Sequence, residues 1–202
     1  MLTIGLTGSI AMGKSTTAQI LRANGIPIFD SDQTVHDIYK SAKNEEIRKA
    51  FPGVVKDGVV DRQELAQRVI GDPASLKTLE RVIHPIVESE RLGFIQKHQS
   101  DRFIVLDIPL LFEVGAERVC DVTLVVSASQ DVQKYRVLQR PNMDEEKFKQ
   151  FLSRQLPDEQ KKIRSHCVIK TDRGLAFAGL QANSFIRALS SIQHTKRRNI
   201  SQ

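Results

Sequence analysis

A chain of 202 residues can form one sizeable α/β core, or a core with an inserted subdomain, but not two independent enzymes. Lysine and arginine exceed the acids by 30 to 24, a net charge of +6, and Lys196, Arg197 and Arg198 supply half of it, so the body is mildly basic. This suits a polyanionic small substrate, while the lack of tryptophan and of any basic stripe interleaved with aromatics argues against a nucleic-acid partner.

The first predicted element is a buried strand, Leu2 to Thr7. Directly after it, Gly8-Ser9-Ile10-Ala11-Met12-Gly13-Lys14-Ser15 fills the pattern G-x-x-x-x-G-K-S, with Thr16 following. Glycines let backbone amides turn inward around phosphate oxygens, Lys14 supplies a mobile charge for the β- and γ-phosphates, and Ser15 offers a hydroxyl to Mg²⁺. Ser15 to Asn24 reads as a helix whose N-terminus faces those phosphates. A second strand, Ile26 to Phe29, leads to Asp30 and Asp32, and a helical stretch is expected from Gln33 to Tyr39. Asp32 stands at the C-terminal edge of a parallel sheet, where ligands bind. It reads as a carboxylate that accepts the proton of an attacking hydroxyl, or as a helix cap. Asp30 reads as a turn residue or an outer partner of Mg²⁺.

From Asp32 to Arg102 the separation is too long for one crossover, and helix-like stretches with turn signals at Phe51-Pro52-Gly53, Lys56-Asp57-Gly58 and Gly71-Asp72-Pro73 predict a helical insert, residues 33–101. Within it, His84-Pro85 is expected to start a long helix, with proline at its permitted first-turn position, and His84 reads as an anchor for a substrate's pyrophosphate or as a cap or surface contact. The third strand, Phe103 to Leu106, closes on Asp107 as a carboxylate that holds Mg²⁺ through water, or as a loop cap. Pro109 and Leu110 open a run to Glu113 that cannot continue the strand and is expected to line the cleft floor, with Glu113 solvated. After a fourth strand, Val122 to Val126, Arg136 and Arg140 share a helical face, either solvated or delivering charge to a transferred phosphoryl group. The polar segment 139–160 reads as a mobile lid with Arg140 at its base. A last strand, Cys167 to Ile169, and a last helix precede a tail expected to be disordered from His194.

Strands alternating with helices predict an α/β fold with a parallel sheet flanked by helices, in one domain spanning 1–202. Cys120 and Cys167 lack C-x-x-C spacing and read as buried, reduced thiols. No apolar run approaches the ~18 residues of a membrane span, and Leu2 starts a strand without a leader, so no membrane partner and a cytoplasmic location are expected.

Several runs carry a resemblance in order and spacing: Gly5-Leu6-Thr7-Gly8 leading into Gly13-Lys14-Ser15-Thr16, Asp30-Ser31-Asp32, His84-Pro85, Ile108-Pro109-Leu110-Leu111-Phe112-Glu113 and Gln155-Leu156-Pro157. Together they resemble the dephospho-CoA kinase family across nearly the whole chain. The resemblance implies a P-loop NTPase core with a CoA-binding helical insert and a lid, and transfer of phosphate from ATP, with Mg²⁺, to the 3′-hydroxyl of dephospho-CoA. It implies catalytic roles for Lys14, Asp32 and Arg140, ATP held by residues 8–16, metal at Ser15 and Asp107, and substrate at Asp32, His84, Pro109 and Leu110. The chain departs from the family at Ser9, Ala11 and Met12 in the loop and at His166 and Lys170 near the last strand. Another small-molecule kinase, acting on a nucleoside monophosphate or a sugar, and a nucleotide-dependent switch are the alternatives. The chain has no N-K-x-D motif of a guanine-selecting switch.

Overall fold

The computed structural model describes residues 1–200, the side chains of Ala42 and of 192–200 excepted; the tail expected to be disordered from His194 falls outside the fully described part. In chain order the elements are β1 (Leu2–Thr7), α1 (Lys14–Ala23), β2 (Ile28–Asp30), α2 (Ser31–Tyr39), α3 (Glu45–Ala50), β3 (Val55–Lys56), β4 (Val59–Val60), α4 (Arg62–Val69) and α5 (Pro73–Lys97). There follow β5 (Phe103–Asp107), β6 (Val122–Ser127), α6 (Gln130–Leu138), α7 (Glu145–Ser153), α8 (Asp158–Arg164), β7 (Cys167–Lys170) and α9 (Leu175–Ile200). The chain divides into two compact units, one of residues 1–28 with 102–202 and one of 29–101, and the division falls inside β2.

In the first unit, β1 lies at the centre of a sheet ordered β2-β5-β1-β6-β7. It pairs in parallel with β5, Ile4 opposite Val105, and with β6, Leu6 opposite Leu124, while β7 runs parallel to β6. Nearly every residue of β1, β5 and β6 is buried, as a parallel sheet covered on both sides requires, with Thr3, Gly5, Thr7 and Thr123 set among the apolar residues. On one face Ile4, Leu6, Val105, Leu124, Val126 and Ile169 pack with Ala18 and Leu21 of α1 and with Ala178, Ala182 and Phe185 of α9. On the other, Leu111, Phe112 and Val125 form a smaller core with Ile108, Cys120 and Leu156. Gly5 makes that packing possible, since a Cβ there would stand 2.8 Å from Cys120 Sγ. Neither cysteine is in a disulfide, both are half-buried, and burial pushes the Cys167 thiol up from its ordinary value.

The second unit gathers α2, α3, α4 and α5 around Ile38, Ile47, Phe51, Val54, Leu65, Leu79 and Ile83. The insert is not wholly helical, because β3 and β4 form an antiparallel hairpin, Val55 opposite Val60. Its two-residue turn, Asp57 at φ 51 and Gly58 at φ 78, has the positive angles of a type I′ turn, for which Asp-Gly is favoured. Two-residue strands are too short to show an alternating pattern. The expected helix start at His84-Pro85 is also corrected: α5 begins at Pro73, capped by Asp72 accepting from the Ala74 amide at 3.0 Å, and continues through Pro85. Leu79 and Ile83 before the proline and Ile86 and Val87 after it all pack in the core of this unit, and that burial outweighs the ladder bond proline removes. Among the described residues, no helix is long and apolar enough to cross a membrane.

Candidate active site

The phosphate loop follows from close packing at its two ends. At Gly8 an added Cβ would lie 2.4 Å from Val126 Cγ2 and 2.8 Å from the Val126 carbonyl oxygen, so only glycine lets the chain leave β1 against β6. Gly13 closes the loop at φ 96 and serves as N-cap of α1 without a side-chain cap. The first amides of a helix have no intrahelical acceptor, so those at the start of α1 are left for an anionic ligand.

Between these ends, side chains from elsewhere in the unit hold the loop's backbone. Ile10 N donates to Gln155 Oε1 at 3.0 Å, and the Ile10 carbonyl accepts from Gln133 Nε2 at 2.8 Å. The Met12 carbonyl accepts from Thr171 Oγ1 at 2.7 Å. Arg136 in turn donates to Thr171 Oγ1 at 3.0 Å and to the Thr171 carbonyl at 2.7 Å, and reaches the Ala11 carbonyl at 3.5 Å. These bonds fix the curve of the loop's backbone, which an anion nest requires; the Ile10 amide is taken by Gln155 and the Met12 amide by the Ser9 carbonyl at 3.1 Å. Nothing in the spacing of Gln133, Gln155 or Thr171 marks them for this task. The departures at Ala11 and Met12 are accommodated: Ala11 takes φ 59, and Met12 is buried beneath the loop, its thioether accepting the Ala128 amide at 3.0 Å.

Lys14 Nζ lies 2.7 Å from Asp107 Oδ1, with side-chain exposures of 15% and 2%. Asp107 ends β5 beside β1, opposite Leu6, so the sheet register itself brings this carboxylate to the loop. Ser15 and Thr16 are exposed in the first turn of α1. Pro109 and Leu110 are half-buried after β5, and the Pro109 carbonyl accepts from Thr7 Oγ1 at 2.9 Å. Glu113 is not solvated: its Oε1 accepts the Leu156 amide at 2.7 Å and stands 2.9 Å from Nζ of the fully buried Lys161. Arg140 does not share a helical face with Arg136, because α6 ends at Leu138 and Arg140 follows the C-cap Gln139. Pro141 explains this, since the residue before a proline is steered out of helical geometry. The Arg140 side chain is exposed.

Asp32 and His84 belong to the unit of residues 29–101. The helix there starts two residues earlier than expected, and Asp30 is its cap, accepting the Gln33 amide at 3.0 Å. Asp32 stands exposed in the first turn. His84 is exposed in the middle of α5, not at a helix start, so attraction of a pyrophosphate to a helix end does not apply to it. Between α2 and α5 lies a cavity of about 450 Å³ lined by Phe29, Thr34, Ile38, Ser89, Gly93 and Phe94.

Comparison with known proteins follows the same lines. A sequence model of the dephospho-CoA kinase family matches residues 2–176. A protein of Mesorhizobium japonicum named dephospho-CoA kinase is 45% identical over 191 residues, covering 94% of this chain and 97% of its own. One of Rhizobium etli with the same name is 44% identical over 191 residues, covering 94% of each chain. A crystal structure of a Thermus thermophilus protein superposes with a TM-score of 0.82 at 34% identity, covering 93% of this chain and 96% of that one. With the phosphate loop, the Lys14–Asp107 pair and the parallel sheet on which they sit, these matches place the chain in the dephospho-CoA kinase family.

Proposed function

We propose that this protein transfers the γ-phosphoryl group of ATP to the 3′-hydroxyl of dephospho-CoA, giving CoA and ADP. The observation that carries the reading is the phosphate loop with Lys14 held 2.7 Å from Asp107 at the end of the sheet, in a chain of the dephospho-CoA kinase family. Phosphoryl transfer asks little covalent chemistry of the protein and depends on positioning and charge. Within residues 8–16, the amides other than those of Ile10 and Met12 would cradle the phosphates, Lys14 would follow the β- and γ-oxygens, and Arg140 would bring further positive charge from the base of segment 139–160. Asp32 would orient the acceptor hydroxyl and accept its proton. His84 would contact the anionic acceptor, Pro109 and Leu110 would line its place, and the cavity between α2 and α5 has a size suited to part of a small ligand.

Mg²⁺ binds oxygen ligands and retains water, needing one or two protein donors beside the phosphates. The exposed Ser15 hydroxyl at the head of α1 and the Asp107 carboxylate at the end of β5 fit that donor set. When bound, the ion would neutralise charge on the β- and γ-phosphates. We place the reaction in the cytoplasm, where ATP is abundant, with no nucleic acid or membrane partner. A panel of acceptors with ATP tests the reading: dephospho-CoA should be turned over, while shikimate, gluconate and nucleoside monophosphates should not. Turnover of one of these in place of dephospho-CoA would overturn it.

A further inference from the structure

Glu113 and the run Gln155-Leu156-Pro157 are far apart in sequence and have no role in the mechanism above, yet they are tied together in one unit. Lys161 is fully buried, and its ammonium lies 2.9 Å from Glu113 Oε1 as an ion pair, without the alignment of a hydrogen bond. The same oxygen accepts the Leu156 amide at 2.7 Å, and Glu113 Oε2 is buried with no hydrogen-bond partner. One residue before Leu156, Gln155 Oε1 takes the Ile10 amide of the phosphate loop at 3.0 Å. Around this chain of bonds α8 is clamped to the core: Arg164 reaches Glu117 at 2.6 Å and lies 4.7 Å over the Phe112 ring, and Ser127 donates to Asp158 at 2.6 Å.

Burying an ammonium and a carboxylate with incomplete hydrogen bonding is a poor way to gain stability, and a well-packed apolar pair in their place is often neutral or better. What the pair does provide is direction. Glu113 Oε1 fixes where the Leu156 amide sits, which fixes the backbone carrying Gln155, whose single acceptor oxygen holds the Ile10 peptide. We propose that Glu113 and Lys161 are positioning residues for the donor nucleotide, acting through Gln155 on the Ile10 peptide of the phosphate loop. The proposal rests on the kinase reading only in that the loop's ligand is ATP. Without the Gln155 acceptor the Ile10 peptide has other arrangements open to it. The fraction of molecules with a binding-competent loop then falls, and the apparent dissociation constant rises in proportion.

Calorimetric titration of the full chain with the non-hydrolysable analogue AMP-PNP and Mg²⁺ reads this without any acceptor, so failure of the proposal is separate from failure to turn over dephospho-CoA. Gln155→Met should weaken AMP-PNP binding by about tenfold, the size of one lost hydrogen bond, with a melting temperature lowered by no more than about 4 °C. Lys161→Met should weaken it at least as much, because the half-buried Glu113 loses its cation. The double variant Glu113→Gln/Lys161→Met should return to within about threefold of wild type, since a glutamine oxygen still accepts the Leu156 amide and no unpaired charge is left buried. In steady state the defect should appear as a raised KM for ATP with an unchanged KM for dephospho-CoA. If Lys161→Met does not fold, Gln155→Met and the double variant still decide the matter. Normal AMP-PNP affinity in Gln155→Met, a loss confined to melting temperature in Lys161→Met, or a double variant as weak as Lys161→Met would each overturn the proposal.

Discussion

Two residues of the phosphate loop illustrate opposite relations between side chain and backbone. Ala11 carries a Cβ at φ 59, a left-handed conformation that costs an L-residue about 1–2 kcal/mol. Ala11→Gly relieves that strain while adding about 0.4–1 kcal/mol of unfolded-state entropy, so a net gain of about 0.5 kcal/mol and a melting temperature 1–2 °C higher are expected. A melting temperature lowered by Ala11→Gly would show that the Cβ makes a compensating contact. Lys14, by contrast, is half of a largely buried ion pair with Asp107 and is also the cation we assign to the phosphates. Lys14→Ala should abolish phosphoryl transfer and also destabilise the fold by about 3–5 kcal/mol, the typical cost of removing one partner of such a pair. Kinetics with dephospho-CoA and a thermal melt check the two halves separately; turnover near wild type in the folded variant would refute the assigned role of Lys14.

At the level of elements, the start of α2 separates a capping carboxylate from the one assigned to catalysis. Asp30 caps the helix by accepting the Gln33 amide, and Asp32 sits one turn inside. Asp30→Ala should therefore cost about 1 kcal/mol of stability. Asp32→Asn should leave stability within about 0.5 kcal/mol and lower kcat by about 10²-fold or more, with ATP binding little changed. Equal losses of ATP affinity and turnover in Asp32→Asn would instead indicate a metal or structural role. The same helix shows the limit of propensity arguments. Asp32 and Gln33 were legible as a helix beginning, but the choice of Asp30 as cap depends on extended backbone at φ −103 and ψ 108, which no residue type dictates. In α5 the apolar spacing of Leu79, Ile83, Ile86 and Val87 carries the helix across Pro85, so the local breaker is overruled by burial in the core of its unit.

At the scale of the whole molecule, a kinase that left ATP open to water would hydrolyse it, so the part of segment 139–160 that precedes the core-bonded Gln155, Leu156 and Asp158 should close over the nucleotide only with both substrates bound. ATP hydrolysis without acceptor should be a small fraction of kinase turnover, and Arg140→Ala, at the exposed base of the segment, should lower kcat far more than acceptor binding. Fast acceptor-independent hydrolysis would remove the gating role, and a normal kcat in Arg140→Ala would return that arginine to the solvated surface. The strand runs, the G-x-x-x-x-G-K-S octet and the carboxylates at strand ends were legible in the sequence because each rests on neighbours close along the chain: apolar continuity, glycine spacing and a strand's last residue. Those local signals determined the α/β core, the phosphate loop, and Lys14 and Asp107 as its charged residues. Only the tertiary structure decided that Glu113 is paired with a buried lysine and not solvated, that Gln133, Gln155 and Thr171 hold the loop's backbone, and that Arg136 braces it. Those contacts join residues 35 to 159 positions apart, and the partner of a polar side chain at such a distance is set by strand order and packing, which no local pattern contains.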